Sequence, residues 1–297
     1  MVTGTYNQLI YRVEQAGKTI RQVLFEDIGI SSRLYRQLKP QRTIMVNGHV
    51  ISLNAKARPG DVIVVNMVEK PHRIQAEAMP LDIVYEDCDI VAVNKQFGVV
   101  AHPTLGVPNH TLSNALRHYA LQKGEDYKPR LINRLDRDTT GIILFAKNPH
   151  AQNVVSQAFI DGAVEKYYMA LVHGKFNKSR GTIEGAIGLA EGSNIKRTVR
   201  DDGKYALTHY QLIRQLTNCA LLKVQIKTGR THQIRVHMSH IGHPIVGDDL
   251  YGSFERVAIK RQALHAAQLH ITTPRSGRVT ITAALPNDFE RALAILE

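Results

Sequence analysis

Two aspartates lie two positions apart in the densest polar cluster of the chain. Asp136 and Asp138 belong to the segment NRLDRDTTG at residues 133–141, which directly precedes an apolar run. Side chains two apart in an extended segment point to the same side, so the carboxylates could form an acid/base pair or bind a hard metal ion. Alternating arginines and aspartates are also typical of a solvated loop with surface ion pairs. Spacing alone leaves both interpretations open.

A second cluster, at residues 227–248, is rich in histidine. It contains His232, His237, His240 and His243. Four histidines suggest zinc, and helical spacing would bring His237 and His240 near each other. Because neither the zinc-protease pattern nor a cysteine partner is present, we expect no metal. The histidines, together with Arg235, are expected to satisfy backbone groups or to grip phosphate.

Composition and charge narrow the class of partner. The 297 residues include 38 Lys and Arg against 26 Asp and Glu, which gives a net charge of +12 and a sequence pI near 9.7. Such a balance favours a polyanionic partner such as nucleic acid. The absence of Trp and an aromatic content of 6% argue against an extended platform for stacked single-stranded bases. A hydrophobic content of 43% allows a sizeable core and excludes a disordered tail.

The sequence carries no signal for a membrane or for an organic cofactor. Its apolar runs, such as residues 142–146, fall far short of the roughly 18 residues of a membrane span, and the N-terminus lacks a signal-peptide pattern. Cys88 and Cys219 are too few for a disulfide framework and suit a reducing cytosol, so we expect a cytoplasmic protein. Neither a glycine-rich dinucleotide loop nor a Walker loop is present, so no cofactor is expected.

Apolar periodicity over residues 81–297 predicts a large α+β domain that would position both clusters. The predicted strands are residues 83–85, 90–93, 142–146, 168–172, 207–213, 221–226 and 279–282. The predicted helices contain Leu112 to Tyr119, Asn148 to about Phe159, Ile234 to Ile241 and residues 289–296. Because strands often follow one another without a helix between them, we expect a mixed or antiparallel sheet.

Residues 1–70 form a small α+β unit of their own, with ten basic and five acidic residues. Two short helices are predicted, the second capped by Ser31 or Ser32, followed by a hairpin turn at Asn47-Gly48 and a strand from Val62. The motifs SR at 32–33, VNG at 46–48 and PGD at 59–61 resemble the small RNA-binding module named after ribosomal protein S-four. The resemblance implies that exposed Arg33 and Arg36 bind RNA. Residues 71–80 are expected to be a linker to the larger domain.

The motifs of the larger unit resemble the RluA-type pseudouridine synthases, in that family's order. They are NK at 94–95, GVVAHP at 98–103, RLD at 134–136, DTTG at 138–141, KYYMA at 166–170, GRTHQIRVH at 229–237, GHPI at 242–245, GD at 247–248 and LHA at 264–266. Two positions depart from the family pattern, since Asn133 stands where His is common and Gln96 where Pro is common. The resemblance implies an isomerase with a pseudouridine synthase fold and an RNA-binding domain at its N-terminus.

The resemblance also distinguishes between the two aspartates. It implies that Asp136 is catalytic, attacking or stabilising the anomeric carbon while the glycosidic bond breaks. Tyr168 is expected to stack on the base and to assist proton transfer, whereas Tyr167 is assigned to the core. Arg235 is expected to pair with Asp136 and to keep it ionised.

The target uridine must leave the RNA stack before it can react. The resemblance implies that Arg134 fills the vacated place, and Arg230, His232 and Gln233 are assigned to RNA contact. Ribosomal RNA is the favoured target, transfer RNA remains possible, and a monomer is the default expectation. The alternative is a non-catalytic RNA-binding or ribosome-assembly protein that retains the fold. A metal-dependent RNA hydrolase built on the histidines is a weaker alternative.

Overall fold

The N-terminal part of the chain forms a four-stranded antiparallel sheet covered by short helices. The computed structural model describes residues 2–68, 72–252 and 258–297. The strands are β1 (Val2–Thr3), β2 (Gln8–Arg12), β3 (Ile44–Val46) and β4 (Val62–Asn66), in the order β1-β2-β4-β3. The helices are α1 (Ile20–Gln22), which continues as a π-helical turn (Val23–Asp27), and α2 (Ser32–Leu38), which ends in a 3-10 turn (Lys39–Gln41). Buried residues from Leu9 to Met67 form a hydrophobic cluster between them.

Local polar groups set the turns of this unit as the sequence predicts. The Ser31 hydroxyl accepts a hydrogen bond from Leu34 N at 3.2 Å and caps α2. Asn47 and Gly48 both have positive φ, at 49° and 81°, which is the conformation that a two-residue hairpin turn requires. The Asn47 amide also donates to Asp61 at 2.9 Å and so joins the hairpin to the PGD turn. The predicted helices and the hairpin are therefore confirmed.

The larger part of the chain is built on a mixed sheet of ten strands within the described residues. These are β5 (Ile83–Glu86), β6 (Ile90–Lys95), β7 (Arg130–Leu131), β8 (Thr140–Ala146), β9 (Glu165–His173), β10 (Arg180–Glu184), β13 (Leu207–Gln215), β14 (Cys219–Ile226), β15 (Leu264–Thr273) and β16 (Gly277–Thr282). A separate hairpin pairs β11 (Ile187–Leu189) with β12 (Arg197–Val199). The main order is β10-β13-β14-β9-β15-β8-β6-β5, with β16 on β15 and β7 on β8. β8 and β15 run parallel and the other described pairs are antiparallel, which confirms the predicted fold class.

Four helices accompany this sheet. They are α3 (Leu112–Gln122), α4 (Pro149–Ile160), α5 (Gln233–His240) and α6 (Asn287–Leu296). Asn148 caps α4 by accepting from Ala151 N at 2.7 Å, and Pro149 occupies the first helical position as predicted. Ile234 and Met238 of α5 and Phe289 of α6 join a core cluster with strands β9 and β14. Helices α5 and α6 thus pack together on the part of the sheet where the histidine-rich segment lies.

Strand β15 brings the two chemical clusters together. Its first residues lie between β9 and β8, where Ala266 is opposite both Tyr168 and Gly141. His265 is fully buried, and its Nδ1 lies 2.9 Å from the hydroxyl of Thr140. Burial lowers the pKa of His265 to about 4, so the ring is neutral at pH 7. The residues after Asp136 are therefore fastened to the strand that also flanks Tyr168.

One buried arginine connects the N-terminal sheet to the larger one. Arg275 donates through Nε to Asp89 at 3.0 Å and through Nη1 to the carbonyls of Thr5 and Gln8 at 2.6 and 3.0 Å. The hydroxyl of Tyr6 also accepts from Asp126 N at 3.1 Å. These contacts fix the orientation of the small sheet relative to the large one.

The segment expected to be a linker has neither helix nor strand at residues 72–80. The amide of Asn114 donates to Gln75 O at 2.9 Å, so this stretch lies along the start of α3. The predicted boundary at residues 70 and 71 lies outside the described residues. No helix in the described ranges is both long and apolar enough to span a bilayer.

Substitution of Gly141 should separate β8 from β15. Gly141 has a φ of 107°, and a Cβ there would lie 2.6 Å from Ala266 N. We expect Gly141→Ala to lower the free energy of unfolding by more than about 3 kcal/mol, because both the φ angle and the backbone overlap are unfavourable. Gly162→Ala is the matched control, since Gly162 has a φ of 72° but open space around it, and it should cost only about 1 kcal/mol. Equal losses of unfolding free energy in the two variants, measured by urea denaturation, would contradict a close approach of β8 and β15 at Gly141.

Candidate active site

The loop before β8 presents Asp136 on a tight turn. The Asp136 carbonyl accepts from Thr139 N at 3.1 Å, and the side chain of Asp136 is about a quarter exposed. Lys95 fixes this turn from beneath, since its Nζ donates to Arg137 O at 2.7 Å. Burial lowers the pKa of Lys95 to about 8, although Asp138 and Asp136 oppose the shift. The turn is thus held by an almost fully buried side chain.

Arg235 joins Asp136 to a second carboxylate that is completely buried. Its Nε and Nη2 donate to the two carboxylate oxygens of Asp248 at 2.7 and 2.9 Å, and its Nη1 lies 3.3 Å from Asp136 Oδ2. Burial disfavours the charge on Arg235, but Asp248 and Asp136 together outweigh it and raise the pKa of the guanidinium. Arg235 therefore remains charged and has one nitrogen directed at Asp136. The predicted pairing of Arg235 with Asp136 is present, across 99 positions of sequence.

Asp248 is the residue of this network to which sequence reasoning gave no role. It lies two positions after the apolar segment 244–246, and its Oδ1 also accepts from Leu250 N and Tyr251 N at 3.1 and 3.2 Å. The only sequence signal was its place in the GD motif, since the buried position of an acidic side chain depends on distant partners. These bonds compensate the charge of an aspartate that has no exposed surface.

Tyr168 lies on β9, on the other side of β15 from the Asp136 turn. Burial and the charge of Asp136 raise the pKa of its phenol, so the hydroxyl stays protonated at neutral pH. Tyr168 can therefore donate a hydrogen bond near the carboxylate. Tyr167, assigned to the core from the sequence, is instead only partly buried, because its hydroxyl donates to Glu165 at 2.9 Å and Lys223 lies over its ring.

His232 completes the inner part of the site from the start of α5. It has a φ of 58°, a left-handed conformation that is unusual for histidine and marks local strain. Its Nδ1 lies 2.8 Å from the Tyr251 hydroxyl and its Nε2 lies 4.0 Å from Asp136 Oδ1. Burial lowers the pKa of His232, which favours a neutral ring at pH 7. Two polar side chains, Arg235 and His232, thus flank the Asp136 carboxylate.

The other residues assigned to RNA contact occupy different environments. Arg134 is exposed and has no ion pair or hydrogen bond among the described residues. Arg230 is also exposed, and its Nε donates to Tyr205 O at 2.9 Å. Gln233 is buried, where its Oε1 accepts from Thr228 and from Arg230 N, so its amide shapes the loop from within. Asn133, which departs from the family pattern, has a structural role, because its amide oxygen accepts from Leu144 N on β8 at 2.7 Å.

The two positively charged residues predicted in the N-terminal unit lie on its surface. Arg33 and Arg36 are both exposed on α2, and Arg36 Nε donates to Ser32 O at 3.3 Å. They are not part of the Asp136 cluster. Arg33 and Arg36 on the N-terminal unit and Arg134 on the larger unit are thus exposed positive charges.

The histidine-rich segment does not assemble into a metal centre within the described residues. His237 is fully buried and contacts the Thr208 hydroxyl at 2.9 Å and Gly185 O at 3.1 Å, while His243 Nδ1 contacts His173 O at 2.8 Å. Residues 2–68, 72–252 and 258–297 contain no group of three or more His, Cys, Asp or Glu side chains placed to hold a metal ion. His232, His237 and His243 contact backbone and hydroxyl groups, as one of the sequence interpretations expected.

Comparison with known proteins identifies the class to which this fold and site belong. A family model described as RNA pseudouridylate synthase matches residues 89–240, which include both Asp136 and Arg235. The ribosomal large subunit pseudouridine synthase D of Nitrosomonas europaea is 36% identical over 264 aligned positions, covering 85% of this chain and 76% of that protein. The protein of the same name from Escherichia coli K12 is 34% identical, covering 99% of this chain and 93% of that protein.

A solved structure shows the same relationship. Human RNA Pseudouridylate Synthase Domain Containing 1 superposes with a TM-score of 0.60 and 29% sequence identity, covering 73% of this chain and 86% of that chain. The chain belongs to the RNA pseudouridine synthase family and resembles its RluA-type members. It is therefore an isomerase that converts uridine in RNA to pseudouridine.

Loss of the Asp248 charge should disable the site by releasing Arg235. We expect Asp248→Asn to lower the free energy of unfolding by about 3 kcal/mol and the single-turnover rate by roughly 100-fold, because a buried guanidinium loses its fixed partner. Asp89→Asn is the matched control, since Asp89 is equally buried and binds Arg275 far from Asp136. It should cost similar stability but leave the rate at saturating RNA unchanged. An active Asp248→Asn enzyme would show that Arg235 does not need this anchor.

Proposed function

We propose that Asp136 carries out the reaction on a uridine extruded from structured RNA. In the isomerisation the bond from N1 to C1′ breaks and a bond from C5 to C1′ forms, while C5 loses a proton and N1 gains one. A carboxylate can attack C1′ or stabilise the positive charge that develops there. The observation that carries this proposal is the Asp136 carboxylate at 3.3 Å from Arg235, which is itself held by buried Asp248.

Arg235 and Tyr168 have complementary roles in this proposal. Arg235 fixes the direction of the carboxylate, because its other two nitrogens are already bound to Asp248. Tyr168 offers a ring on which the uracil stacks and a protonated hydroxyl that donates to the base as it detaches and rotates. The raised pKa of Tyr168 makes it a hydrogen-bond donor rather than a base at neutral pH.

The RNA itself is held by residues at the rim. Arg134 occupies the space left by the extruded uridine, where its planar guanidinium stacks between neighbouring bases. Its exposure and freedom from partners in the described structure support this role. Arg230 and His232 contact the strand beside the site, and Gln233 supports the Arg230 backbone through its internal hydrogen bonds.

Residues 1–70 act as an S-four-like RNA-binding domain, joined through residues 71–80 to a catalytic domain at residues 81–297. Support comes from the separate hydrophobic cluster between Leu9 and Met67 and from exposed Arg33 and Arg36. Because Arg275 fixes the orientation of the two parts, RNA bound by α2 meets the catalytic domain at a defined angle.

Ribosomal RNA is the proposed target, with transfer RNA as the alternative. Two relatives that align over most of this chain bear the name ribosomal large subunit pseudouridine synthase D. The protein would act as a monomer in the cytoplasm, where ribosomes are assembled, and without a metal or an organic cofactor.

Mapping of pseudouridine in cellular RNA tests both the target and the catalytic residue. Cells lacking the gene should lose one or more pseudouridines in large-subunit ribosomal RNA, and the wild-type gene should restore them. Asp136→Asn should fail to restore them, whereas Asp138→Asn, the same change two positions away, should succeed. Restoration by Asp136→Asn would disprove the catalytic assignment, and a lost site in transfer RNA would correct the target. The absence of any change would favour the non-catalytic alternative.

Removal of the two arginines on α2 should weaken RNA binding without slowing the chemistry. We expect the double substitution Arg33→Met, Arg36→Met to raise the Kd for the mapped RNA segment roughly ten-fold at physiological salt, since phosphate contacts are lost. The single-turnover rate at saturating RNA should not change. Arg214→Met with Arg278→Met removes the same charge from exposed arginines that pair with Glu297 and Glu165, and serves as the control. Equal Kd values for the two double variants would argue against an RNA-binding role of α2.

A further inference from the structure

The hairpin formed by β11 and β12 packs against the start of α5, next to the active site. Ile187 of β11 and Val199 of β12 share a small hydrophobic cluster with Val236 and Tyr251. This cluster fastens the hairpin to the helix that carries His232 at its start and Arg235 in its first turn. The hairpin therefore lies beside the candidate active site.

A chain of polar contacts connects the hairpin with the Asp136 carboxylate. Arg197 N donates to the Tyr251 hydroxyl at 2.8 Å, and that hydroxyl lies 2.8 Å from His232 Nδ1. His232 Nε2 in turn lies 4.0 Å from Asp136 Oδ1. The Tyr251 ring also lies under the guanidinium of Arg235, at 5.0 Å from its centroid. The backbone of Arg197 is thus fixed by the same side chains that surround the carboxylate.

The side chain of Arg197 differs from the other inner arginines because it has no counter-charge. Its Nε is buried without a hydrogen-bond partner, and no carboxylate of the described residues forms an ion pair with it. Arg235, Arg261 and Arg275 each hold an aspartate through two nitrogens. A buried, unpaired polar nitrogen is unfavourable in a folded protein, so a ligand that pairs with this guanidinium would be favoured here.

The surroundings of Arg197 favour an anion. Its backbone N–H is bonded to the Tyr251 hydroxyl, which contacts His232, so Arg197 lies beside the candidate active site. The neighbouring Lys196 lies over the Tyr251 ring at 5.9 Å and adds a second cation to the hairpin. Among biological anions, a phosphodiester matches the guanidinium, which can donate two parallel N–H bonds to two phosphate oxygens.

We propose that Arg197 binds a backbone phosphate of the RNA strand next to the extruded uridine. This inference rests on the proposed function and extends it by naming a site for one phosphate. Arg197 does not touch the reacting atoms, so it acts in binding and in placing the nucleotide over Asp136. Its loss should weaken RNA binding and leave the chemical step at saturation nearly unchanged.

The test measures RNA affinity in a background that cannot turn over. Asp136→Asn protein binds the RNA segment in which mapping places pseudouridine, and Kd is measured between 50 and 300 mM salt, about the range in which phosphate contacts dominate. Arg197→Met is compared with Arg197→Lys and with Arg214→Met, which removes one charge from the Glu297 pair at the far end of β13. We expect Arg197→Met to raise Kd roughly ten-fold and to reduce the salt slope by about 0.7, with Arg197→Lys intermediate.

A neutral methylphosphonate at single positions of the RNA locates the phosphate. A methylphosphonate at one position near the target uridine should weaken RNA binding by the Asp136→Asn protein. The same methylphosphonate should have no further effect on the protein that also carries Arg197→Met. A Kd and salt slope equal to those of Arg214→Met, or additive effects at every methylphosphonate position, would overturn the inference. If the wild-type enzyme forms pseudouridine in that segment and Arg197→Met binds RNA normally, the inference fails but the proposed function stands. Absence of pseudouridine formation by the wild type would instead count against the function itself.

Discussion

The candidate active site depends on a fully buried aspartate that compensates a nearly buried arginine. A guanidinium in the interior is unfavourable unless its charge and its N–H groups are satisfied, and Asp248 meets two of its nitrogens. That anchor leaves Nη1 as the part of Arg235 that faces Asp136. Asp248 can take its position only because backbone N–H groups of the following turn also bond to it. The direction of the Asp136 carboxylate is therefore set by a residue that has no exposed surface.

A second constraint is the meeting of three strands. β15 pairs with β9 on one side and with the start of β8 on the other, so Ala266 separates Tyr168 from Gly141. The parallel pairing of β8 and β15 requires a close backbone approach that Gly141 permits because it lacks a Cβ. Tyr168 and the Asp136 turn are thus brought to the same region by sheet register, with no need for a direct bond between them.

Local patterns were sufficient to predict most elements of this fold, because caps, turns and apolar periodicity act over a few residues. Asn148 before Pro149 marked the start of α4, and Asn47-Gly48 marked a hairpin. Strand β15 was not predicted, since its buried and half-exposed residues owe their pattern to three partner strands rather than to a simple alternation. In the same way Asp136 was found through a family motif, whereas the structural role of Asp248 depends on Arg235, which local sequence does not connect with it.

Buried and exposed arginines differ in their partners. Arg235, Arg261 and Arg275 are inside, and each is paired with an aspartate. Arg33 and Arg134 are outside and have no such partner among the described residues, which leaves their charge available to phosphates and bases. Salt screens exposed charges far more than buried pairs. Ionic strength should therefore change how tightly RNA is held, while the arrangement of Asp136 and Arg235 stays the same. In the proposed function the exposed cations serve RNA binding, whereas among these buried pairs only Arg235 with Asp248 contacts the proposed catalytic residue.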